Sequence, residues 1–372
     1  MNLEETIFNQ LRDEWGPCKI IHLYEPSLPM QAIVVIDNIA LGPAIGGVRL
    51  APEITTEEVF RLARTMTWKN AAAGLAYGGG KAGIRMAADS PPELKERVIR
   101  AFANAIAELQ DYIPGPDMGT NETSMAYIYD EIGRCVGRPR ATGGIPLDEL
   151  GITGYGLMVA AEVLAPEAGL NLEGARMAIQ GFGNVGKAAA FYLAQKGARL
   201  VAASDTAGAI YNPAGINVQQ LTAIKKSGGK VLDYTEAEII PPESLFALPC
   251  DILIPAARPD ALSQQNMDQI KASLVLQGAN LPVTPEAEAY LHDKGICTIP
   301  DFIVNAGGVI ACAVEYHHGT EAEAFQTIAA KIPANLKALL PMIREQKLYP
   351  RQAAFRLAQQ RVREAQSYRR TF

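Results

Sequence analysis

ARMAIQ-GFGNVG-KAAAFYLAQKG-ARLVAAS, residues 175–204, reads as strand, glycine turn, helix and strand. ARMAIQ is a short apolar run, and the three glycines that follow cannot continue it as a strand. KAAAFYLAQKG is built of helix formers and closes on a glycine of the kind that stops helices. ARLVAAS is the next strand, which completes one strand–helix–strand unit. Working outward, CDILIPA (250–256), SLVLQGA (273–279) and GICTIP (295–300) are further buried strands with helical stretches between them. Strands alternating with helices imply a parallel, doubly wound sheet.

The turn itself is Gly181-Phe-Gly183-Asn184-Val185-Gly186. A glycine triad in this spacing is a weak signal alone, but here a strand precedes it and a helix follows. In that place the helix N-terminus and its free amides can meet a pyrophosphate. Gly181 permits the turn, Gly183 lets a phosphate approach, and Gly186 lets helix and strand pack closely. The plain alternative is a glycine turn that binds nothing. The second strand runs into Ser204-Asp205, and a carboxylate there would hold ribose hydroxyls and favour NAD. Asp205 could equally cap the turn at Gly208. NAD is the expected cofactor and NADP the alternative, since Arg199 stands at the far end of that strand.

The first half of the chain has a different pattern. QAIVVID (31–37) is a β-branched strand, broken by Gly42, Pro43, Gly46 and Gly47. A helix follows from about Thr56, where Thr55 and Glu58 have capping-box spacing. A second helix covers 92–110, with Leu94, Val98, Phe102 and Leu109 on one stripe. ATGGIPLDELGITGYG (141–156) is rich in breakers and reads as a boundary or hinge. The expected architecture is α/β with two domains, residues 1–143 and 144–335, the second Rossmann-like. Residues 336–372 would then be C-terminal helices packing back toward the first domain, ending in a basic stub.

Two domains suit 372 residues, and 48% hydrophobic with 20% charged residues suits a folded globular chain. A formal charge of −6 argues against a nucleic-acid binder. The acidic start MNLEETIFNQLRDEW is not a signal peptide, and no apolar run approaches the roughly 18 residues of a membrane span. The five cysteines are scattered without CxxC spacing, which fits a reducing cytoplasm better than a disulfide framework or zinc site. His317 and His318 would point about 100° apart on a helix, so they read as a solvated surface pair and no metal is expected.

Candidate chemistry in the first half centres on two segments. MTWKNAAAGLAYGGGK (66–81) sets Lys69 and Lys81 either side of Gly78-Gly79-Gly80. The glycines would leave backbone amides bare for a substrate, and a lysine in a dry pocket beside another cation gives up its proton more readily. Two solvated surface lysines are the alternative. In Ile113-Pro-Gly115-Pro-Asp117-Met-Gly-Thr120, prolines and glycines bracket one carboxylate, which is either a proton donor and partner of Lys81 or a helix N-cap.

These residues together resemble the glutamate/leucine/phenylalanine/valine dehydrogenase superfamily. Similarity runs through GPAIGGVRLAP (42–52), MTWKNAAAGLAYGGGK, PGPDMGT (114–120), GITGYG (151–156), QGFGNVG (180–186), SDTAGAIYNPAG (204–215), QGANLP (277–282) and PDFIVNAGGV (300–309). The resemblance implies an N-terminal α/β domain that binds substrate and assembles homo-oligomers, and a Rossmann-like nucleotide domain, with catalysis in the cleft. It implies that Lys69 holds the substrate α-carboxylate, that Lys81 activates water and stabilises the carbinolamine, and that Asp117 shuttles a proton to the amino group. Gly80 would contact substrate, Thr153 and Asn280 would face the nicotinamide end, and Asn305 would orient substrate and ring. The reaction implied is reversible NAD(P)-dependent oxidative deamination of an L-amino acid to a 2-oxo acid and ammonia.

In glutamate-specific members the position of Ile45 is usually a lysine and that of Cys312 a serine, and both serve the distal carboxylate. Burying a carboxylate without such partners is costly. Ile45, Val309 and Cys312 would instead form an apolar wall, with Gly115 leaving room beside it. An apolar substrate of the Leu, Val, Ile or Phe type is expected. Glutamate is the alternative, because DMGTNETSMAYIYDE and GAIYNPAG read more like the glutamate branch. An alternative of another class is a nucleotide-binding regulatory paralogue with little turnover.

Overall fold

The computed structural model describes residues 9, 11–87 and 89–369. The chain divides into two units by its contacts. The first runs to Pro146 and includes Val309–Ala324 and the chain from Leu357; the second comprises Leu147–Gly308 and Phe325–Arg356.

The first unit is built on β1 (Lys19–Glu25), β2 (Met30–Asn38), β3 (Ala44–Leu50), β4 (Gly78–Ile84) and β5 (Tyr112–Pro116), in the spatial order β1-β2-β4-β3-β5. β1, β2 and β4 pair antiparallel, whereas β3 runs parallel to both β4 and β5. Three helices, α1 (Thr56–Ala72), α2 (Pro92–Ala105) and α3 (Glu122–Ile132), cover the sheet. The unbroken apolar run of β2 follows from burial on both faces. Val34 and Ile36 join the cluster containing Phe102 of α2 and Met125 of α3. Ile33 and Val35 pack with Val59, Phe60 and Ala63 of α1.

Side-chain caps start some helices, and a more distant side chain ends one. Thr55 caps α1 by accepting the Glu58 amide at 3.2 Å. The Glu58 carboxylate instead reaches Arg49 at 2.9 Å. α2 stops at Ala105, short of the predicted 110. There the Arg134 guanidinium donates to the carbonyls of Ile106, Ala107, Leu109 and Tyr112, which gives the chain an alternative to further helical bonds. Asn121 caps α3, accepting the Ser124 amide at 3.0 Å. Asp117 is therefore not the cap of that helix.

The second unit holds a seven-stranded sheet made of β6 (Arg176–Gln180), β7 (Arg199–Asp205), β8 (Gly208–Tyr211), β9 (Glu238–Ile240), β10 (Ile252–Pro255), β11 (Leu274–Leu276) and β12 (Cys297–Ile299). Its order is β12-β11-β10-β6-β7-β8-β9. The first five in that order are parallel, as alternation with helices requires. β8 and β9 add an antiparallel edge that the sequence pattern does not announce, because each is short and follows a turn. The chain also forms α4 (Leu147–Leu150), α5 (Ile152–Glu167), α6 (Asn184–Ala194), α7 (Val218–Lys226), α8 (Pro285–Asp293), α9 (Asp301–Val304), α10 (Gly307–Tyr316), α11 (Glu321–Arg344) and α12 (Pro350–Ser367).

The breaker-rich segment 141–156 holds α4, and from Ile152 it is helix again, through Gly154 and Gly156. These glycines serve contact, not flexibility. A Cβ on Gly154 would lie 2.4 Å from the Ala189 amide nitrogen of α6. The basic C-terminal stub continues α12, where Arg361 donates to the carbonyls of Ala71 and Ala72 at the end of α1; residues 370–372 of the stub lie outside the described residues. Among the described residues, no helix is long and apolar enough to cross a membrane, and no group of His, Cys, Asp and Glu is arranged to hold a metal ion.

Candidate active site

Alternation along a strand puts every second side chain on one face. In β3 this groups Ile45, Gly47 and Arg49. Register pairs Ile45 with Gly79 of β4 and Ile113 of β5, and Gly47 with Gly115 of β5. Lys81 lies opposite Val35, whose side chain belongs to the face that α1 covers. Ile45, Gly47, Arg49, Lys81 and Gly115 thus share one face of the sheet, with Asp117 just beyond the end of β5.

Lys81 Nζ lies 3.1 Å from Asp117 Oδ2, and Lys81 is only 5% exposed. Arg49 Nε donates to the same oxygen at 2.8 Å. The Asp117 amide donates to Thr120 Oγ1 at 2.9 Å, and that hydroxyl donates to the Val48 carbonyl at 2.8 Å, which ties the loop back to β3. Burial pushes the Lys81 ammonium below the ordinary lysine range; Asp117 opposes the shift without offsetting it, and Arg49 adds to it. Burial by itself would raise the Asp117 carboxyl, but Lys81 and Arg49 together hold it below the usual carboxylate range. The pair is therefore a lysine that releases its proton readily, beside a carboxylate that stays charged. Such a pair can pass protons at a pH below the ordinary lysine range.

Lys69, on α1, is half-buried. Cys312, on α10, is 8% exposed. Its thiol is pushed up by burial first, then by Glu315 and Cys135, while Lys69 draws it down, which places these four side chains in one neighbourhood. Val309 is half-buried on the same helix. Glu315, one turn beyond Cys312, is fully buried. It accepts the amides of Gly137, Arg138 and Ile145 and the Arg138 Nε, all at 3.1 Å.

In the second unit the glycine turn has the shape a pyrophosphate requires. Gly181 has φ +94°, and a Cβ on it would come within 2.7 Å of the Ala257 backbone. A Cβ on Gly186 would lie 2.1 Å from the Gly181 carbonyl oxygen. Nothing stands within 4 Å of the corresponding point on Gly183, which is the N-cap of α6 and has no side chain to occupy the amides. Asn184 and Val185 open the helix, so the donors and the space fit a dinucleotide phosphate. At the end of β7, Asp205 Oδ2 accepts from Lys225 Nζ at 2.5 Å and from the Val231 amide at 3.0 Å, and Oδ1 accepts the Ala207 amide at 2.9 Å. Thr153 is half-buried near the start of α5, with its Oγ1 3.7 Å from where a Gly308 Cβ would sit. Asn305 is 4% exposed and donates to the Ala279 carbonyl at 3.1 Å and to Asn280 Oδ1 at 3.4 Å; Asn280 is exposed.

The sequence pattern of the Glutamate/Leucine/Phenylalanine/Valine dehydrogenase family matches residues 143–370, and that of the Glu/Leu/Phe/Val dehydrogenase dimerisation domain matches residues 27–134. The chain belongs to this family. It is 39% identical over 358 residues to a glutamate dehydrogenase of Aeropyrum pernix, covering 89% of this chain and 85% of the relative. Among solved structures it is similar to a hetero-hexameric glutamate dehydrogenase from Thermus thermophilus in a leucine-bound form, with TM-score 0.85, 31% identity and coverage of 96% and 91%. It is similar also to an L-tryptophan dehydrogenase from Nostoc punctiforme, with TM-score 0.75, 27% identity and coverage of 98% and 100%. This member of the dehydrogenase family is an amino-acid dehydrogenase acting on a CH–NH2 group with a nicotinamide dinucleotide.

Three readings of this dehydrogenase's sequence need correction. Gly78–Gly80 do not leave amides bare: they lie in β4, laddered to β2 and β3. Their missing side chains admit the protein's own atoms. A Cβ on Gly79 would sit 2.1 Å from the Thr67 amide nitrogen, and one on Gly80 would press on the Tyr112 ring at 3.0 Å, on the opposite face from Lys81. Nor does Gly115 leave open room, because Val136 Cγ2 stands 3.2 Å from its absent Cβ. The sequence pattern gives Gly46 and Gly47 as chain breakers, whereas both lie inside β3, and it marks no role for Gly47 or Arg49 at the site. Their two-residue spacing in GPAIGGVRLAP, which places both on one strand face, was the available signal.

Proposed function

We propose that this dehydrogenase oxidatively deaminates an L-amino acid with an apolar side chain, of the Leu, Val, Ile or Phe type. The observation that carries the reading is Ile45: it is 4% exposed and lies on the same sheet face as Lys81 and Asp117. Cys312, the other position that would serve a distal carboxylate, is a buried thiol held in its neutral form. A carboxylate placed against this wall would lose hydration without gaining a partner. Lys69 binds the substrate α-carboxylate. Lys81, whose burial eases loss of its proton, takes a proton from water and stabilises the carbinolamine that forms; Asp117 carries a proton to and from the amino group. The dinucleotide, when bound, supplies acceptance of the hydride from Cα. Gly183, Asn184, Val185 and Gly186 hold its pyrophosphate, Asp205 its ribose, with NAD preferred, and Thr153, Asn280 and Asn305 serve the nicotinamide end.

The first unit is read as the substrate and homo-oligomerisation domain and the second as the nucleotide domain. A cytoplasmic setting suits five free cysteines, three of them buried.

Glutamate is the second reading, favoured by the names of the relatives in Aeropyrum and Thermus. Overall identity reports the shared frame, whereas discrimination between substrates rests on a few pocket contacts. The test is reduction of NAD and NADP at alkaline pH with a panel of L-amino acids. Turnover of Leu, Val, Ile or Phe without Glu supports the apolar reading, and turnover of Glu alone overturns it.

A further inference from the structure

A buried ionic cluster in the second unit lies behind the segment QGANLP. Arg351 of α12 donates from Nε and Nη2 to the two carboxylate oxygens of Glu288, each at 2.6 Å, and from Nη2 to Asp301 Oδ1 at 3.3 Å. Glu288 and Asp301 are each 3% exposed. Gln277, fully buried, joins them: its Nε2 donates to Glu288 Oε1 at 2.6 Å, and its Oε1 accepts the Asp301 amide at 3.2 Å. The remaining oxygen of Asp301, Oδ2, accepts the Leu281 amide at 3.0 Å.

Leu281 is the residue at stake. Its φ is +50°, in the left-handed region that a branched side chain avoids. A strained backbone of this kind persists only where its surroundings over-determine it. Two bonds do so here, the Asp301 carboxylate on the Leu281 amide and the Asp260 amide on the Leu281 carbonyl at 2.9 Å. The neighbour on one side is Asn280, which with Ala279 is the bonding partner of Asn305.

We propose that Arg351 is a positioning residue of the dinucleotide site: through Asp301 it holds Leu281 in the left-handed conformation and thereby sets the direction of Asn280 and Asn305. This rests on the reading of Asn280 as a nicotinamide-facing residue. An arginine is needed because its planar fork reaches two carboxylates at once, whereas a lysine is a point donor.

The experiment uses the full chain with Arg351→Lys, Leu281→Gly, the double variant and Asn280→Ala. Arg351→Lys is preferred to Arg351→Met, which would leave two buried carboxylates with no cation. Hydrogen exchange at residues 278–283 without ligand, and fluorescence titration with NADH and NADPH, are the readouts. Arg351→Lys is expected to speed exchange at Leu281 and to weaken dinucleotide binding by about tenfold. Glycine adopts φ +50° unforced, so Leu281→Gly in the same chain restores binding to within about threefold. A general loosening of the domain would not be rescued by a glycine at one position. Unchanged exchange in Arg351→Lys, or a double variant that binds no better than Arg351→Lys, overturns the proposal. Unchanged binding in Asn280→Ala, with exchange still faster in Arg351→Lys, overturns the nicotinamide assignment of Asn280 instead.

Discussion

Gly47 and Lys81 face each other with room for a hydrogen only: a Cβ on Gly47 would lie 3.3 Å from Lys81 Nζ and 2.7 Å from both the Asp117 Cβ and the Pro116 carbonyl oxygen. Two of those three obstacles cannot swing aside, so Gly47→Ala must displace the end of β5 and with it Asp117. The expected result is a fall in kcat/KM of roughly a hundredfold, with a stability loss of about 1–3 kcal/mol from overpacking. Steady-state kinetics beside thermal unfolding checks this. A variant with native kcat/KM would show that the Lys81–Asp117 contact is dispensable.

The same pair makes a signed prediction about pH. Lys81 releases its proton below its ordinary 10.5 because burial outweighs Asp117, and Arg49 contributes to the lowering. Arg49→Gln removes a lowering influence, so the rising limb of kcat/KM against pH moves to higher pH. Asp117→Asn removes a raising influence, and the limb of its residual activity moves to lower pH. Between the folded and unfolded pKa of Lys81 the unfolded chain binds more protons, so this residue makes stability rise with pH across that window. Limbs that move in the same direction in both variants would rule out Lys81 as the titrating group.

The side-chain pocket offers a gain-of-function test. Ile45 stands beside Gly79 and Ile113 on the face that carries Lys81. The apolar stem of a lysine fits an apolar wall while its ammonium seeks a counterion. Ile45→Lys is expected to create or strengthen glutamate turnover and to depress that of branched-chain substrates, measured as the ratio of their kcat/KM values. A wild-type chain already active on glutamate and merely weakened by Ile45→Lys would contradict the apolar reading.

How much of this was legible beforehand depended on the range of the interactions involved. The strand–turn–helix of 175–204 is local: its three glycines lie within six positions of one another, and with the later apolar runs they imply the parallel part of the sheet, whereas Ala257 against Gly181 and the β8–β9 edge carry no local mark. Lys81 and Asp117 were also visible, each framed by glycines. Arg49 was not, because its partner Asp117 is 68 residues away. Gly80 and Gly115 were read as openings for a ligand, yet Tyr112 and Val136 fill them. Sequence shows that a side chain is missing without showing what occupies the space. Glu315 illustrates the same limit, since its donors Gly137, Arg138 and Ile145 lie 170 to 178 residues away and no local pattern marks them.

On the proposed reading, cofactor preference turns on how Asp205 is already engaged. Oδ2 is taken by Lys225 and the Val231 amide, while Oδ1 has one backbone amide and can still accept a ribose hydroxyl. On the proposed reading the carboxylate would support NAD in two ways: it would accept from the 2′-hydroxyl, and it neutralises Lys225, a cation that a 2′-phosphate would seek. Asp205→Ser removes both effects and frees Lys225. A hydrogen bond to a charged group is worth about 1.5–3 kcal/mol, so the NADP-to-NAD ratio of kcat/KM should rise roughly 10- to 100-fold. Lys225→Gln separates the two contributions, because it leaves the carboxylate in place and should strengthen NAD preference. If Asp205→Ser lowers activity with both cofactors equally, the carboxylate serves only to tie β7 to the Val231 turn, and cofactor choice lies elsewhere in the second unit.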